Sequence, residues 1–395
     1  MGIALRGLTW DHPRGYAPLL GGVPEYKTQH PEIDIQWDRR SLREFGEAPI
    51  EQYLDRYDLL VVDHPFVGFA AAHRALVDLA PSLSEAEKRH FAEDSVGPSW
   101  ESYWYGGGLW AFPIDAATQV ASYRPDLLPT QSVPGTFDGV LELGAKAGKT
   151  GKCIAVPACP TDAISLFFTL SATLGYPIAE ERELFVEDSV AADVLARLHA
   201  LIAVAHPKSV EWNPIQVYDF MCSTSDAVYC PYGFGYSNYS RANHSVRLKF
   251  TNAPSASERG CAGTMLGGTG IAVSRFSARE LEAIAYAKWL ASPEHQRGIY
   301  FSEGGQPASL AAWADSSLNA ASDDFFAGTL ETLQTAYVRP RFDGFVRFFE
   351  VAGIEINRCL RGEVKDVALV RWLNDQYASQ RLAARPNRVA KKRGT

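Results

Sequence analysis

No run in the sequence approaches the roughly 20 apolar residues needed to cross a bilayer. The most apolar stretch, 164–174, is short, carries Ser and Thr, and reads as a buried helix. A charged start, an apolar run and a small-residue cleavage site are also missing, because Met1-Gly2 leads directly into Ile3-Ala4-Leu5-Arg6. The expectation is a periplasmic protein if a leader was removed, and a cytoplasmic one if the sequence is the complete product. Positive charge is in deficit: 38 Lys and Arg stand against 46 Asp and Glu, for a net charge of -8. That argues against a bulk nucleic-acid binder. The basic residues of 385–395 (Arg385, Arg388, Lys391, Lys392, Arg393) read as a solvated tail. The six cysteines, at 153, 159, 222, 230, 261 and 359, contain no CxxC pair and no dense framework, so free thiols are expected. Internal repeats and low-complexity linkers are absent. So are GxGxxG after a strand, HExxH and GxSxG. The stretch Gly144 to Thr150 mimics a phosphate loop but is one residue short, with Leu143 where the first Gly belongs.

What is present is an alternation of short apolar runs and helical periodicity. Across 395 residues, 46% apolar and 21% charged, this reads as two or three domains of α/β type with sheets covered on both faces. Strands are expected at 3–10, 33–37, 58–63, 226–230 and 270–273, and as two short pieces, 110–114 and 120–123, around a proline. Helices are expected at 16–30, 136–147, 161–174 (stopped by Gly175), 189–205 and 366–384, and along the stripe Phe345, Phe348, Phe349, Ala352 and Ile356. Ser84 with Glu87, and Ser277 with Glu280, suggest capping boxes; Ser292-Pro293 suggests a helix start. A multi-domain chain without a linker implies that the backbone crosses between domains more than once.

Three constellations could carry function. The first is a repeated tripeptide, Asp11-His12-Pro13 after the first strand and Asp63-His64-Pro65 after the third. Ligands of open α/β sheets bind beyond the carboxyl ends of strands. These pairs could contact a polar solute or a metal, or could simply cap turns and fill space; nothing fixes a metal geometry. The second is aromatic density around Trp10, Trp100, Tyr103, Trp104, Tyr105 and Trp110, and again at Tyr232, Phe234, Tyr236 and Tyr239. Such rings suit the CH faces of a sugar, or ordinary cores. The third is Cys159-Pro160-Thr161-Asp162 before an apolar helix, where a helix dipole could lower a thiol pKa and His12 or His64 could act as base. An unreactive wall position is the plainer reading.

The order of segments resembles the family 1 extracellular solute-binding proteins of bacterial ABC importers, the group that includes maltose-binding protein. The resemblance rests on Glu25-Tyr-Lys-Thr-Gln-His-Pro-Glu32-Ile-Asp-Ile, on Tyr105-Gly-Gly-Gly-Leu-Trp-Ala-Phe-Pro113 followed by Tyr123-Arg124-Pro-Asp126, and on Val133-Pro-Gly-Thr136-Phe137-Asp138. It continues through Gly267-Gly268-Thr-Gly-Ile-Ala-Val-Ser274, Trp289-Leu-Ala-Ser-Pro-Glu-His-Gln296 and Gly304-Gly305-Gln306-Pro307. It implies a two-lobed periplasmic-binding-protein type II fold with a deep cleft and three hinge crossings, near 112–115, 266–270 and 309–313. The implied lobes are 1–112 with 268–312, and 113–267 with 313–384.

The resemblance implies non-catalytic binding of a small polar solute, a carbohydrate or a polar organic acid, with hinge closure. No cofactor and no metal are expected. The partners would be the solute and, if the protein is exported, importer membrane subunits; nucleic acid is not expected, and a monomer is. Trp10 and Tyr232 would stack on the ligand. Asp11, Asp63 and Asp115 would accept its hydroxyls, and Arg14 or His12 would hold a negative group; His64 and Phe234 are further expected contacts. Thr161 and Asp162 would approach from the far lobe. Arg14, Arg39, Arg40 and His12 make the first lobe look cationic, which leaves an anionic ligand open. The rival reading is a cytosolic enzyme or ligand sensor on the same fold, using Cys159 or the two Asp-His pairs.

Overall fold

The computed structural model describes residues 2–47, 49–242 and 244–384. The basic tail at 385–395 lies outside the described residues. Eight strands form one sheet, seven of them in the spatial order Ile33–Arg40, Ile3–Trp10, Leu59–Val62, Leu266–Val273, Phe112–Tyr123, Ala227–Phe234 and Cys153–Ile154, with Lys249–Thr251 also paired to Phe112–Tyr123. The first three strands run parallel. Leu59–Val62 is buried at every position, as its continuous apolar run requires.

The Phe112–Tyr123 strand ties the molecule together. Its first half pairs antiparallel with Leu266–Val273, and its second half pairs with Ala227–Phe234 and Lys249–Thr251. All of its residues are buried. It replaces the two short strands expected around a proline. Pro113 is tolerated because it sits at the strand's start, facing Gly270 where the register shifts. On the neighbouring strand Gly268 has φ +105°, and a Cβ there would stand 2.2 Å from the Asp115 carbonyl.

Two apolar cores flank this spine. One gathers Leu5, Leu8, Leu60, Phe112, Ile271 and Tyr286; the other gathers Ile164, Phe167, Phe168, Leu198, Phe345 and Phe348. The first also takes Tyr218, Tyr239, Phe250 and Phe325, which lie within the stretch expected to form the second lobe. The mixed α/β architecture therefore follows the alternation in the sequence, while core membership does not follow a simple cut of the chain.

Local signals explain most element ends. The first helix begins at Pro13, earlier than expected, because the His12 ring accepts the Arg14 N–H and Pro13 fills the first helical position. Ser84 and Glu87 form the reciprocal capping box. Ser277 does not: its hydroxyl donates to Asp58 and its helix starts at Glu280 after Arg279. All six cysteines are free thiols.

Candidate ligand-binding cleft

A cavity of about 580 Å³ opens between the two halves of the sheet. That is within the ~300–1,000 Å³ common for small-molecule sites. Parallel strands Ile3–Trp10 and Leu59–Val62 deliver Trp10 and Asp63 to the same sheet edge. Asp115 comes from the shared strand. Thr161 and Asp162 come from the first turn of the Pro160–Thr173 helix. Phe234 ends the Ala227–Phe234 strand, and Tyr236 follows it.

Seven of the residues expected at the site, Trp10, Arg14, Asp63, Asp115, Thr161, Asp162 and Phe234, line this cavity, and so does Cys159. Four others do not. Asp11 is exposed and pairs with Arg39 at 3.1 Å. His12 stacks on the far side of Trp10, with ring centroids 5.2 Å apart. His64 is buried beneath the loop and touches Asp63 at 3.1 Å. Tyr232, expected to stack on the ligand, is wholly buried in mid-strand, and its hydroxyl donates to the Pro254 carbonyl. Two residues apart, Tyr232 and Phe234 would share one face of a regular strand; the register shifts opposite this stretch, between Val120 and Ser122, and Tyr232 packs in the second core while Phe234 lines the cavity.

The cleft's charges are already paired. Arg14 Nε and Nη2 meet the two carboxylate oxygens of Asp115 at 2.8 and 2.6 Å, and Nη1 donates to the Gly235 carbonyl at 2.7 Å. Its guanidinium lies 4.6 Å from the Tyr236 ring centre. Burial alone would lower the Arg14 pKa, but Asp115 outweighs it and raises it. Asp63 accepts from Arg339 at 2.5 Å. Burial opposes ionisation of Asp63, yet Arg339 and His64 hold its carboxyl down at about 2.

The expected cationic first lobe therefore offers little charge to the cavity: Arg14 and Arg39 are paired with Asp115 and Asp11, and Arg40 does not line it. Burial, with Arg14 beside it, lowers His12 to about 4. Burial and Arg339 lower His64 to about 4. Both rings are neutral at pH 7. Arg40 is buried between Phe45 and Tyr53, with Nη2 on the Val61 carbonyl. Among the described lining residues, both arginines have carboxylate partners, whereas Asp162 and Glu350 have no cation of their own.

Asp162 is the most perturbed acid of the cleft. Burial pushes its carboxyl up to about 7, against a hydrogen bond from the Cys159 thiol at 3.1 Å. The sign of the linkage follows. Between roughly pH 4 and 7 the unfolded chain ionises Asp162 while the folded chain keeps its proton, so stability falls as pH rises and then levels. Asp162→Asn should flatten this slope; denaturant midpoints at about pH 5 and about pH 8 check it. Cys159 is not the activated thiol its helix position suggested. Burial and the neighbouring Asp162 carboxyl raise its pKa well above the usual range, which opposes thiolate formation. Neither Asp-His pair is joined by a third metal-type ligand among the described residues.

Other wall residues carried no functional signal. Phe45, Met265, Phe349 and Arg339 read as core or surface in the sequence, and only the long-range packing turns them toward the cavity. Tyr236 was legible as part of an aromatic cluster; its edge approach to Trp10, 6.5 Å between centroids, was not. Gly15 makes room for the Trp10 indole, since a Cβ there would fall 2.3 Å from the ring.

A two-lobed α/β body with its cleft at the crossing strands is the architecture of bacterial solute-binding proteins. A sequence profile described as bacterial extracellular solute-binding protein matches residues 51–323, and the chain belongs to that family. The family is one of binding proteins rather than enzymes. No curated protein matches the sequence. Among solved structures, the chain is similar to the maltose-bound MalE3 of T. maritima, with TM-score 0.80, 18% identity, and coverage of 95% of this chain and 99% of that one. It is also similar to the GacH receptor of Streptomyces glaucescens, solved unliganded and with acarbose, at TM-score 0.78 and 16% identity, covering 98% and 100%. A third is the ribitol-bound ABC transporter solute-binding protein of Agrobacterium radiobacter, at TM-score 0.77 and 18% identity, covering 96% and 98%. No helix among the described residues is long and apolar enough to cross a membrane.

Proposed function

We propose that this chain captures a neutral, polyhydroxylated solute of sugar or polyol size in the cleft and presents it, in a closed form, to the membrane subunits of an ABC importer. Its place of work would be outside the cytoplasmic membrane, as the family description implies. The observation that carries the reading is the combination of aromatic walls with acceptors and, among the described lining residues, no unpaired cation. Trp10, Phe234 and Tyr236 offer apolar faces for C–H groups. Asp162 offers a carboxyl with no charge partner for hydroxyl donors. Both lining arginines already have carboxylates, so a polar organic acid would have to displace Asp115 or Asp63. The ligands bound in similar structures, maltose, acarbose and ribitol, agree with this class.

Closure would turn on the crossings of the 112–118 and 266–270 strands, with lobes near 1–112 plus 268–312 and 113–267 plus 313–384. Arg14, Asp63 and Asp115 would then shape the cleft as pre-formed ion pairs rather than as free hydroxyl acceptors. Contacts from both lobes form only in the closed state, so ligand shifts the population toward it.

A thermal-shift screen of neutral sugars, polyols and organic acids is the test. A ligand at 100-fold its Kd stabilises by about 2.7 kcal/mol. The expected outcome is stabilisation by neutral polyhydroxylated compounds, not by acids, with Asp162→Asn weakening the best binder by about 10-fold or more. Preferential stabilisation by acids, or equal affinity in Asp162→Asn, would refute the assignment.

A further inference from the structure

Outside the cleft lining, three helices bring together a donor set that the solute-binding role does not use. His199 stands on Asp188–Val204, Cys359 near the end of Phe345–Leu360, and Asp366 at the start of Asp366–Ala384. His199 Nε2 lies 3.0 Å from Asp366 Oδ1, and Cys359 Sγ lies 3.1 Å from the same oxygen. All three ligand atoms fall within 4.8 Å of one another. We propose that this cluster is a binding site for a zinc-type divalent cation, coordinated by the imidazole, the thiolate and the carboxylate.

The chemistry of the set favours that class of ion. Thiolate with imidazole and one carboxylate suits Zn²⁺ or Co²⁺ and is poor for Mg²⁺ or Ca²⁺, which want oxygen alone. In a tetrahedral site with metal–ligand bonds of about 2.0–2.3 Å, ligand atoms sit roughly 3.3–3.7 Å apart. The distances seen are a few tenths shorter, as expected when hydrogen bonds occupy the position. One carboxylate oxygen takes both contacts, so a single cation can replace the two shared hydrogens by a small outward movement of side chains. On coordination the Cys359 proton passes to solvent, and neutral His199 gives its ring lone pair, with its N–H on the other nitrogen.

Burial and access are divided in the way a site requires. Cys359 is 1% exposed and fixed by the packed Phe345–Leu360 helix. His199 and Asp366 are partly exposed, with side-chain exposures of 38% and 47%, which gives the ion an entry route and a water for the fourth position. The last helix packs through Leu369, Leu373 and Tyr377. Its first residue is Asp366, so the ion would fasten the start of that helix to two others.

Co²⁺ titration of the reduced, chelator-treated full chain tests this. Stoichiometric uptake is expected, with intense visible bands of a four-coordinate ion and a near-ultraviolet thiolate-to-cobalt band, all displaced by Zn²⁺. Cys359→Ser should abolish the thiolate band and weaken Zn²⁺ binding by at least about 100-fold, given that even outer-sphere partners are worth ~10–100-fold. Zn²⁺ should raise the melting temperature of the parent chain and not of this variant. Circular dichroism of metal-free Cys359→Ser reports whether it folds; if it does not, His199→Gln decides by the same loss of bands and of Zn²⁺ stabilisation. A cobalt spectrum that stays that of the hydrated ion, or a thiolate band that persists in Cys359→Ser, overturns the proposal.

Discussion

Arg14→Met should destabilise the protein by about 3–5 kcal/mol, the range seen when one partner of a buried ion pair is removed. The pair is almost sealed, with 4% and 3% of the two side chains exposed. Without the guanidinium, the buried Asp115 carboxylate of the shared strand loses its counter-charge, and the Gly235 carbonyl loses one of its two donors, keeping Gln306 at 3.2 Å. The strand joins both halves of the sheet, so the penalty is felt by the whole molecule and should appear as a lower urea midpoint with one transition. Arg14→Met combined with Asp115→Leu should recover most of the loss, because an apolar pair of similar volume removes the stranded charge. A single variant within about 1 kcal/mol of the parent would mean that water reaches Asp115 and that the site is less enclosed than its geometry indicates.

Gly68→Ala should be nearly as damaging, at about 3 kcal/mol or more, the upper end of overpacking effects. A Cβ there would lie 1.6 Å from the Arg341 carbonyl oxygen and 2.7 Å from two backbone carbons. Those neighbours are main chain, so no side-chain rotation relieves the clash. The Val67–His73 helix must separate from residues 341–342. Arg339, two residues earlier in that segment, then loses its hold on Asp63, whose carboxyl should rise from about 2 toward the ordinary range. Urea denaturation measures the first effect and carboxyl titration by NMR the second. An unchanged Asp63 titration would disconnect the helix packing from the ion pair.

These two positions show what the sequence could and could not disclose. The α/β alternation was legible from periodicity, and the helix starts at Ser84 and Thr136 from local chemistry, whereas the His12 cap was not. The cleft was legible where it depends on strand ends: Trp10 and Asp63 follow parallel strands and must share an edge. Asp115 and Arg14 could each be named, but not their partnership, because it joins residues 101 positions apart. Reading Arg14 as a free cation suggested an anionic ligand; pairing cancels it. Tyr232 failed because it sits where the pairing register shifts, a long-range irregularity that leaves it in the core while Phe234, two residues on, lines the cavity. Gly68 carried no signal at all, since its importance lies in a backbone carbonyl more than 270 residues away.

The order of strands also has a consequence for synthesis. Leu59–Val62 finds its outer neighbour in Leu266–Val273, and the intervening strands belong mainly to the other half. At about 5–20 residues per second, a ribosome would need roughly 10–40 s to supply that neighbour. For that interval the nascent chain carries a wholly apolar strand with an open ladder edge, the kind of template on which foreign chains pair. A fragment that ends before residue 266 would make that exposure permanent.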